Sequence, residues 1–155
     1  MFGLFAKKEI ELYAPVKGEC IELSKVNDQV FAQKMMGDGL AFNMEVGEIF
    51  APCDCEVQML FPTLHAIGLK TKNNVEILIH IGMDTVNLNG EGFKAYVKQG
   101  DKLKKGQKMI EVDMNLLKEK NIDLCTPMII TSKDTTIVDM KYGKVSTKDV
   151  VVKVK

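Results

Sequence analysis

Two histidines, His65 and His80, are the residues of this chain whose type and spacing could support catalysis, and they are the only histidines present. They sit in two apolar runs that flank residues 72–74, Lys-Asn-Asn. Asparagine tolerates the left-handed backbone that hairpin turns require, so this segment predicts a β-hairpin. If the turn is centred between Lys72 and Asn73, His65 lies directly opposite His80. The sequence therefore predicts two imidazoles that face each other on one side of the hairpin.

The side chains around the pair suggest phosphoryl transfer. Period-two alternation places Thr63 and Asp84 on the same side as the histidines. An imidazole with a pKa near 6.5 is mostly neutral in the cell, so one ring nitrogen is a nucleophile toward a phosphoryl donor. A phosphoryl group brings about −1.5 to −2 charges, which an N–H of the second imidazole would stabilise. Thr63 would fix the tautomer of that second ring, whereas Asp84 would either orient a ring or repel the phosphoryl group.

The pair also fits two other interpretations. One histidine in a strand usually has a structural role, and a one-residue slip of the hairpin would move the rings to opposite faces. A zinc site would use Asp84 or a cysteine beside the two imidazoles. Catalytic zinc needs three protein ligands and the chain has two histidines, so we expect no metal.

The charged residues limit the classes of partner. The 21 acidic and 21 basic residues balance, and every basic residue is a lysine. A balanced charge provides no broad field for nucleic acid, so no nucleic-acid partner is expected. The cysteines lack the spacing of a zinc site and no secretory leader is recognised, so we expect reduced thiols and a cytoplasmic protein.

Short apolar runs separated by glycine-rich turns predict an all-β fold, an antiparallel sandwich or barrel-like structure with a few short helices. One helix is predicted at Met114–Lys120, with Asp113 as its N-cap. We expect a flexible tail at residues 1–9 and one domain at residues 10–155. The predicted strands are Glu9–Tyr13, Gly18–Leu23, Glu48–Ala51, Cys55–Leu60, His65–Lys70, Val75–Ile81, Lys108–Val112, Thr126–Thr131 and Asp149–Lys155.

Several segments in the first 93 residues resemble the glucose-family enzyme IIA component of the bacterial phosphoenolpyruvate-dependent sugar phosphotransferase system. The last third matches only in general strand-and-turn character, and Cys55 stands where the family usually has a turn glycine. The matching segments are Ala14-Pro-Val-Lys-Gly-Glu19, Val30-Phe-Ala32, Met36-Gly-Asp-Gly39, Ala51-Pro52, Thr63-Leu-His-Ala66, Ile79-His-Ile-Gly-Met-Asp-Thr-Val86 and Gly90-Glu-Gly-Phe93.

The resemblance implies a role for each site residue. His80 would be phosphorylated, His65 would hydrogen-bond the phosphoryl group, and Thr63 would support His65. Asp28 and Asp84 would flank the site. The phosphocarrier HPr would be the donor and an enzyme IIB domain of a sugar permease the acceptor, with no metal or organic cofactor. The implied fold is an antiparallel β-sandwich with short helices.

Apolar residues near the site are predicted to form a shallow docking surface, because a carrier must release its partners. No sugar is expected to bind directly, and contact with the inner face of the membrane would be transient and pass through the permease. The predicted docking residues are Phe31, Phe42, Phe61, Ile79 and Val86.

Two further functional classes fit less well. Residues 97–109 resemble the turn-rich half of biotinyl or lipoyl carriers, but residues 110–114 offer no lysine to modify. Nucleotide binding is disfavoured because the glycine pairs around Asp38 and Glu91 carry carboxylates that would repel phosphate, and no phosphate-binding loop motif occurs.

Overall fold

The computed structural model describes residues 8–155, which form fourteen β-strands, two short α-helices and two 3₁₀ turns. The helices are α1 (Gln29–Ala32) and α2 (Met114–Glu119), and the 3₁₀ turns are Leu23–Lys25 and Thr85–Leu88. The strands are β1 (Ile10–Tyr13), β2 (Gly18–Glu22), β3 (Asp38–Met44), β4 (Glu48–Phe50), β5 (Cys55–Leu60), β6 (Ala66–Lys70), β7 (Glu76–His80), β8 (Phe93–Ala95), β9 (Lys102–Leu103), β10 (Lys108–Val112), β11 (Cys125–Ile130), β12 (Ile137–Met140), β13 (Gly143–Val145) and β14 (Val150–Val154).

The strands pair antiparallel in three sheets. The large sheet has the order β13-β2-β3-β11-β7-β6-β5-β9, and the smaller sheets have the orders β1-β14-β12 and β4-β10-β8. Apolar residues of all three sheets meet in one core, which includes Leu12, Ile77 and Ile110. The architecture is an antiparallel β-sandwich with short helices, so the predicted fold class is confirmed.

A second, smaller core lies on the other face of the large sheet, near the histidines. In β3, Leu40 and Phe42 belong to the main core, whereas Ala41 between them belongs to the smaller one. Phe31 of α1 and Met83 complete this smaller core with residues of β11. Strand alternation therefore gives the large sheet two buried faces at this point.

Strand β3 was missed by the sequence interpretation because Gly37 and Gly39 looked like turn residues. Gly39 instead lies within the strand, where a Cβ atom would come within 2.1 Å of the Met128 carbonyl oxygen. Glycine is needed there because the backbone of β11 approaches too closely for a side chain. The short strands β8, β9, β12 and β13 were also missed.

Helix α2 is confirmed close to its predicted bounds. Asp113 caps it, since its side chain accepts a hydrogen bond from the Leu116 backbone N–H at 3.1 Å. The helix buries Leu117 completely. An acceptor at the N-cap and one apolar anchor thus explain a helix of six residues.

The cysteines and the chain start bear on two other predictions. All four cysteines are free and buried. Cys55 begins β5 without a positive φ, so the residue that replaces the expected turn glycine is not strained. Of the predicted tail, residues 1–7 lie outside the described residues, and the division at residue 10 stays a prediction. Between residues 8 and 155, no helix has the length and apolar character needed to cross a membrane.

Candidate active site

The two imidazoles meet, as predicted. The centroids of the His65 and His80 rings are 5.2 Å apart and the rings lie nearly perpendicular, at 79°. His65 is buried, with 8% of its surface exposed, and His80 is half-buried. Two ring edges are therefore within reach of one small group placed at the surface.

The predicted hairpin register is wrong by one residue. The turn has three residues rather than two, because Thr71 N–H donates to the Val75 carbonyl and Asn74 adopts a left-handed φ of 62°. As a result, the residue paired with His80 is Ala66. The turn residues were identified correctly, but the length of the turn decides the register.

The rings still meet because His65 lies just outside β6. It sits in a bend after Leu64, which has a φ of 58°, and so its side chain does not follow the alternation of the strand. The bend is closed by a hydrogen bond from Leu64 N–H to the Phe61 carbonyl at 2.8 Å. The Ile81 N–H donates to the His65 carbonyl at 2.7 Å and ties the bend to the end of β7.

The tautomer of His80 follows from its hydrogen bond to Gly82. The Nδ1 atom lies 2.8 Å from the Gly82 carbonyl oxygen. A carbonyl can only accept, so Nδ1 carries the proton and Nε2 of the neutral ring keeps a free lone pair. Gly82 received no role in the sequence analysis. The only sign of it in the sequence is a glycine two residues after a histidine. A φ of 70° at this position explains why the residue is glycine.

Thr63 orients the second ring. Its hydroxyl makes a short hydrogen bond with Nδ1 of His65. When the hydroxyl donates, the ring proton lies on Nε2, and this nitrogen becomes a donor on a ring whose centroid is 5.2 Å from that of His80. The predicted contact between Thr63 and His65 is thus present.

Burial keeps both rings neutral near pH 7. Removal from water lowers the pKa of His65, and the nearby His80 lowers it further. Burial also lowers the pKa of His80, while the bond to the Gly82 carbonyl and the charges of Asp28 and Asp84 partly oppose this effect. The net shift is downward for both, so the nucleophilic form dominates at neutral pH.

The two aspartates flank His80 from separate turns. Asp28 caps α1, where its side chain accepts from the Val30 N–H at 2.8 Å. Asp84 is exposed, has a φ of 57° and precedes the 3₁₀ turn Thr85–Leu88. Both carboxylates are close enough to raise the pKa of His80 by their charge.

Four of the five predicted docking residues separate into two pairs. Phe42 and Ile79 are fully buried in the main core, so their assignment to a docking surface is wrong. Phe31 and Phe61 instead contact the histidines: the Phe31 ring lies 5.1 Å from His80 and the Phe61 ring 5.4 Å from His65.

Two exposed apolar residues are close in sequence to residues that flank His80. Val86 is 47% exposed, as a docking residue must be. Val30 of α1 is 40% exposed beside Phe31 and was not assigned to the surface, although it belongs to a matching segment. Val30 lies in α1 and Val86 in the 3₁₀ turn Thr85–Leu88.

The zinc alternative lacks a third ligand. Among residues 8–155, no group of three or more histidine, cysteine, aspartate or glutamate side chains is close enough to hold a metal ion. Each imidazole is instead hydrogen-bonded through Nδ1, His65 to the Thr63 hydroxyl and His80 to the Gly82 carbonyl. The arrangement therefore favours chemistry at a ring nitrogen.

A family comparison identifies the chain type. Residues 10–136 match the family model of the phosphoenolpyruvate-dependent sugar phosphotransferase system, EIIA 1. The chain belongs to this EIIA family. The resemblance noted in the sequence is confirmed.

Similar proteins agree with the family. This EIIA chain is 42% identical, over 96% of its length and 90% of the relative, to a "PTS system glucose-specific EIIA component" of Halalkalibacterium halodurans. It is 49% identical over 86% of its length to a "PTS system glucoside-specific EIICBA component" of Staphylococcus carnosus, of which it spans only 20%. The solved glucose permease IIA from Mycoplasma capricolum is 38% identical and superposes with a TM-score of 0.90, covering 95% of this chain and 96% of that one.

Proposed function

We propose that this EIIA chain accepts a phosphoryl group from phospho-HPr on Nε2 of His80 and passes it to an enzyme IIB domain. The observation that carries the proposal is the hydrogen bond from His80 Nδ1 to the Gly82 carbonyl. It leaves Nε2 as the nucleophile of a ring that burial keeps neutral.

The transfer needs no proton to leave before attack. The Nε2 lone pair forms a bond to phosphorus while the bond between phosphorus and the donor nitrogen breaks, and that electron pair returns to the donor imidazole. The proton of His80 stays on Nδ1 and remains hydrogen-bonded to the Gly82 carbonyl. The reaction then depends on positioning and on stabilising the phosphoryl oxygens.

His65 supplies that stabilisation. With Thr63 bonded to its Nδ1, the Nε2–H of His65 is free to donate to a phosphoryl oxygen. The chain has no arginine to clamp the group. A single neutral donor, with Asp28 and Asp84 nearby as repelling charges, holds the group weakly enough for onward transfer.

Donor and acceptor would use the same small surface. The exposed apolar side chains of Val30 and Val86 are close in sequence to residues that flank His80, and a small interface of this kind permits fast release. The name of the relative that combines EIICBA parts supports an enzyme IIB partner. We propose a cytoplasmic carrier that meets the membrane only through the permease, binds no sugar or nucleic acid and uses no metal or organic cofactor.

The test is phosphorylation by labelled phosphoenolpyruvate, enzyme I and HPr. His80→Gln should abolish labelling. His65→Gln should still accept phosphate but pass it to an enzyme IIB domain at least about tenfold more slowly, since one stabilising donor is lost. Circular dichroism of both variants checks the fold. Full labelling of His80→Gln would reject the assignment of the nucleophile.

A further inference from the structure

Residues 123–126, which run from the loop after α2 into the first two residues of β11, hold the glycine that orients His80. The Met83 N–H donates to the Asp123 carbonyl at 2.9 Å, and the Gly82 N–H donates to the Thr126 hydroxyl at 3.3 Å. Both peptide groups of Gly82 are therefore bonded to the same short segment. No feature of the sequence analysis gave this segment a role.

The first of these bonds acts on the Gly82 carbonyl, which accepts the hydrogen bond from Nδ1–H of His80. The Gly82 carbonyl and the Met83 N–H belong to one planar peptide unit, so fixing the N–H also fixes the carbonyl. The chain of bonds runs from His80 Nδ1–H to the Gly82 carbonyl, and from the Met83 N–H to the Asp123 carbonyl. Bonds linked in this way polarise one another and strengthen the acceptor at Gly82.

The second bond fixes the other side of Gly82. Thr126 is fully buried, and its hydroxyl donates to the Leu124 carbonyl at 3.2 Å while accepting from Gly82. The segment itself is held by the Asp123 side chain, which accepts from the Cys125 N–H at 2.9 Å. The hydroxyl thus fills its donor and acceptor roles, and its removal would leave the Gly82 N–H without its partner.

We propose that Thr126 and Asp123 are positioning residues for the phosphoryl-accepting histidine, acting through the peptide groups of Gly82 to keep the proton on Nδ1 and the lone pair on Nε2. The inference rests on the proposed function for its effect on transfer. The effect on the tautomer of His80 concerns the unphosphorylated protein alone and can be measured in that state.

The experiment compares Thr126→Val with Thr126→Ser, using ring nitrogen NMR shifts of His80 at neutral pH. Thr126→Val removes the hydroxyl and keeps the shape, so we expect a mixture of both neutral tautomers and about tenfold slower labelling from HPr. Thr126→Ser keeps the hydroxyl and should retain the wild-type shifts. Thr71→Val is the matched control, because Thr71 is a buried threonine whose hydroxyl also accepts a backbone N–H, from Val75, at the far end of the hairpin.

Wild-type ring shifts in folded Thr126→Val would overturn the proposal, as would an equal change in Thr71→Val. If Thr126→Val does not fold, Asp123→Ala decides the question, because Asp123 is exposed and only its bond to Cys125 is lost. Asp123→Ala should mix the tautomers and Asp123→Asn should not; equal spectra would reject the proposal. Wild-type protein that shows a single tautomer but takes no phosphate from HPr would instead reject the proposed function.

Discussion

The two nitrogens of each imidazole have separate tasks, and the residue beside each ring assigns them. Gly82 holds the Nδ1 proton of His80, while Thr63 engages Nδ1 of His65. One ring therefore presents a lone pair, and the other presents a donor when the Thr63 hydroxyl donates to it. The sequence predicted roles for the two histidines and the threonine because their side chains are reactive or form hydrogen bonds. The role of Gly82 was not predicted, because it acts through a backbone carbonyl that every residue type has.

The charge of Asp28 can be separated from its capping role. Asp28→Asn keeps an acceptor for the Val30 N–H but removes a charge that raises the pKa of His80, so the NMR titration midpoint of His80 should fall. Asp28→Ala should lower the same midpoint and also cost about 1 kcal/mol of stability, because the cap is lost. An unchanged midpoint in Asp28→Asn would show that its charge does not reach the ring.

The lowered pKa values of the histidines predict a loss of stability in mild acid. The unfolded chain binds a proton at each histidine near pH 6.5, whereas the folded ring binds it only at lower pH. The free energy of unfolding should therefore be insensitive to these groups above about pH 7 and fall as the pH drops toward 5. In His80→Gln, the free energy of unfolding measured with urea should fall less steeply with decreasing pH than in wild type. Equal dependence on pH in the two proteins would contradict the downward pKa shift of His80.

At the scale of elements, the hairpin explains what the sequence could and could not predict. The sequence predicts a turn at residues 72–74. Its length of three residues is fixed by the backbone hydrogen bond from Thr71 to Val75, which the sequence does not reveal. The juxtaposition of the histidines was predicted from a wrong register. The bend at Leu64 brings the two rings together instead. Leucine is not a residue type that predicts a left-handed backbone, so the sequence did not indicate this bend.

Gly82→Ala tests the turn that follows β7. A Cβ atom there would lie 2.8 Å from Cγ2 of Thr85 and 3.1 Å from the Asp123 carbonyl, at a φ of 70°. We expect a loss of about 2–4 kcal/mol, from backbone strain together with overcrowding, measured by urea unfolding. Gly100→Ala is the matched control, because Gly100 has a φ of 93° and open space around it, and should cost only about 1 kcal/mol. Equal losses would show that crowding at Gly82 is unimportant.

At the scale of the whole molecule, the sandwich brings sequence-distant segments to one site. Strand β7 carries His80, the bend before β6 carries His65, and residues 123–126 brace the turn that follows β7. The all-β class was predictable from strand-like runs and turns. The position of β3 was not, because Gly39 serves a close approach between strands that only the assembled sheet reveals.

The measurement that tests the account most directly is the identity of the phosphorylated atom. Protein with ¹⁵N-labelled histidine would be phosphorylated by HPr and its ring nitrogens examined by NMR. We predict that phosphorus is bonded to Nε2 of His80 and that Nδ1 of the same ring keeps its proton. Phosphorus on Nδ1 of His80, or on either nitrogen of His65, would contradict the account.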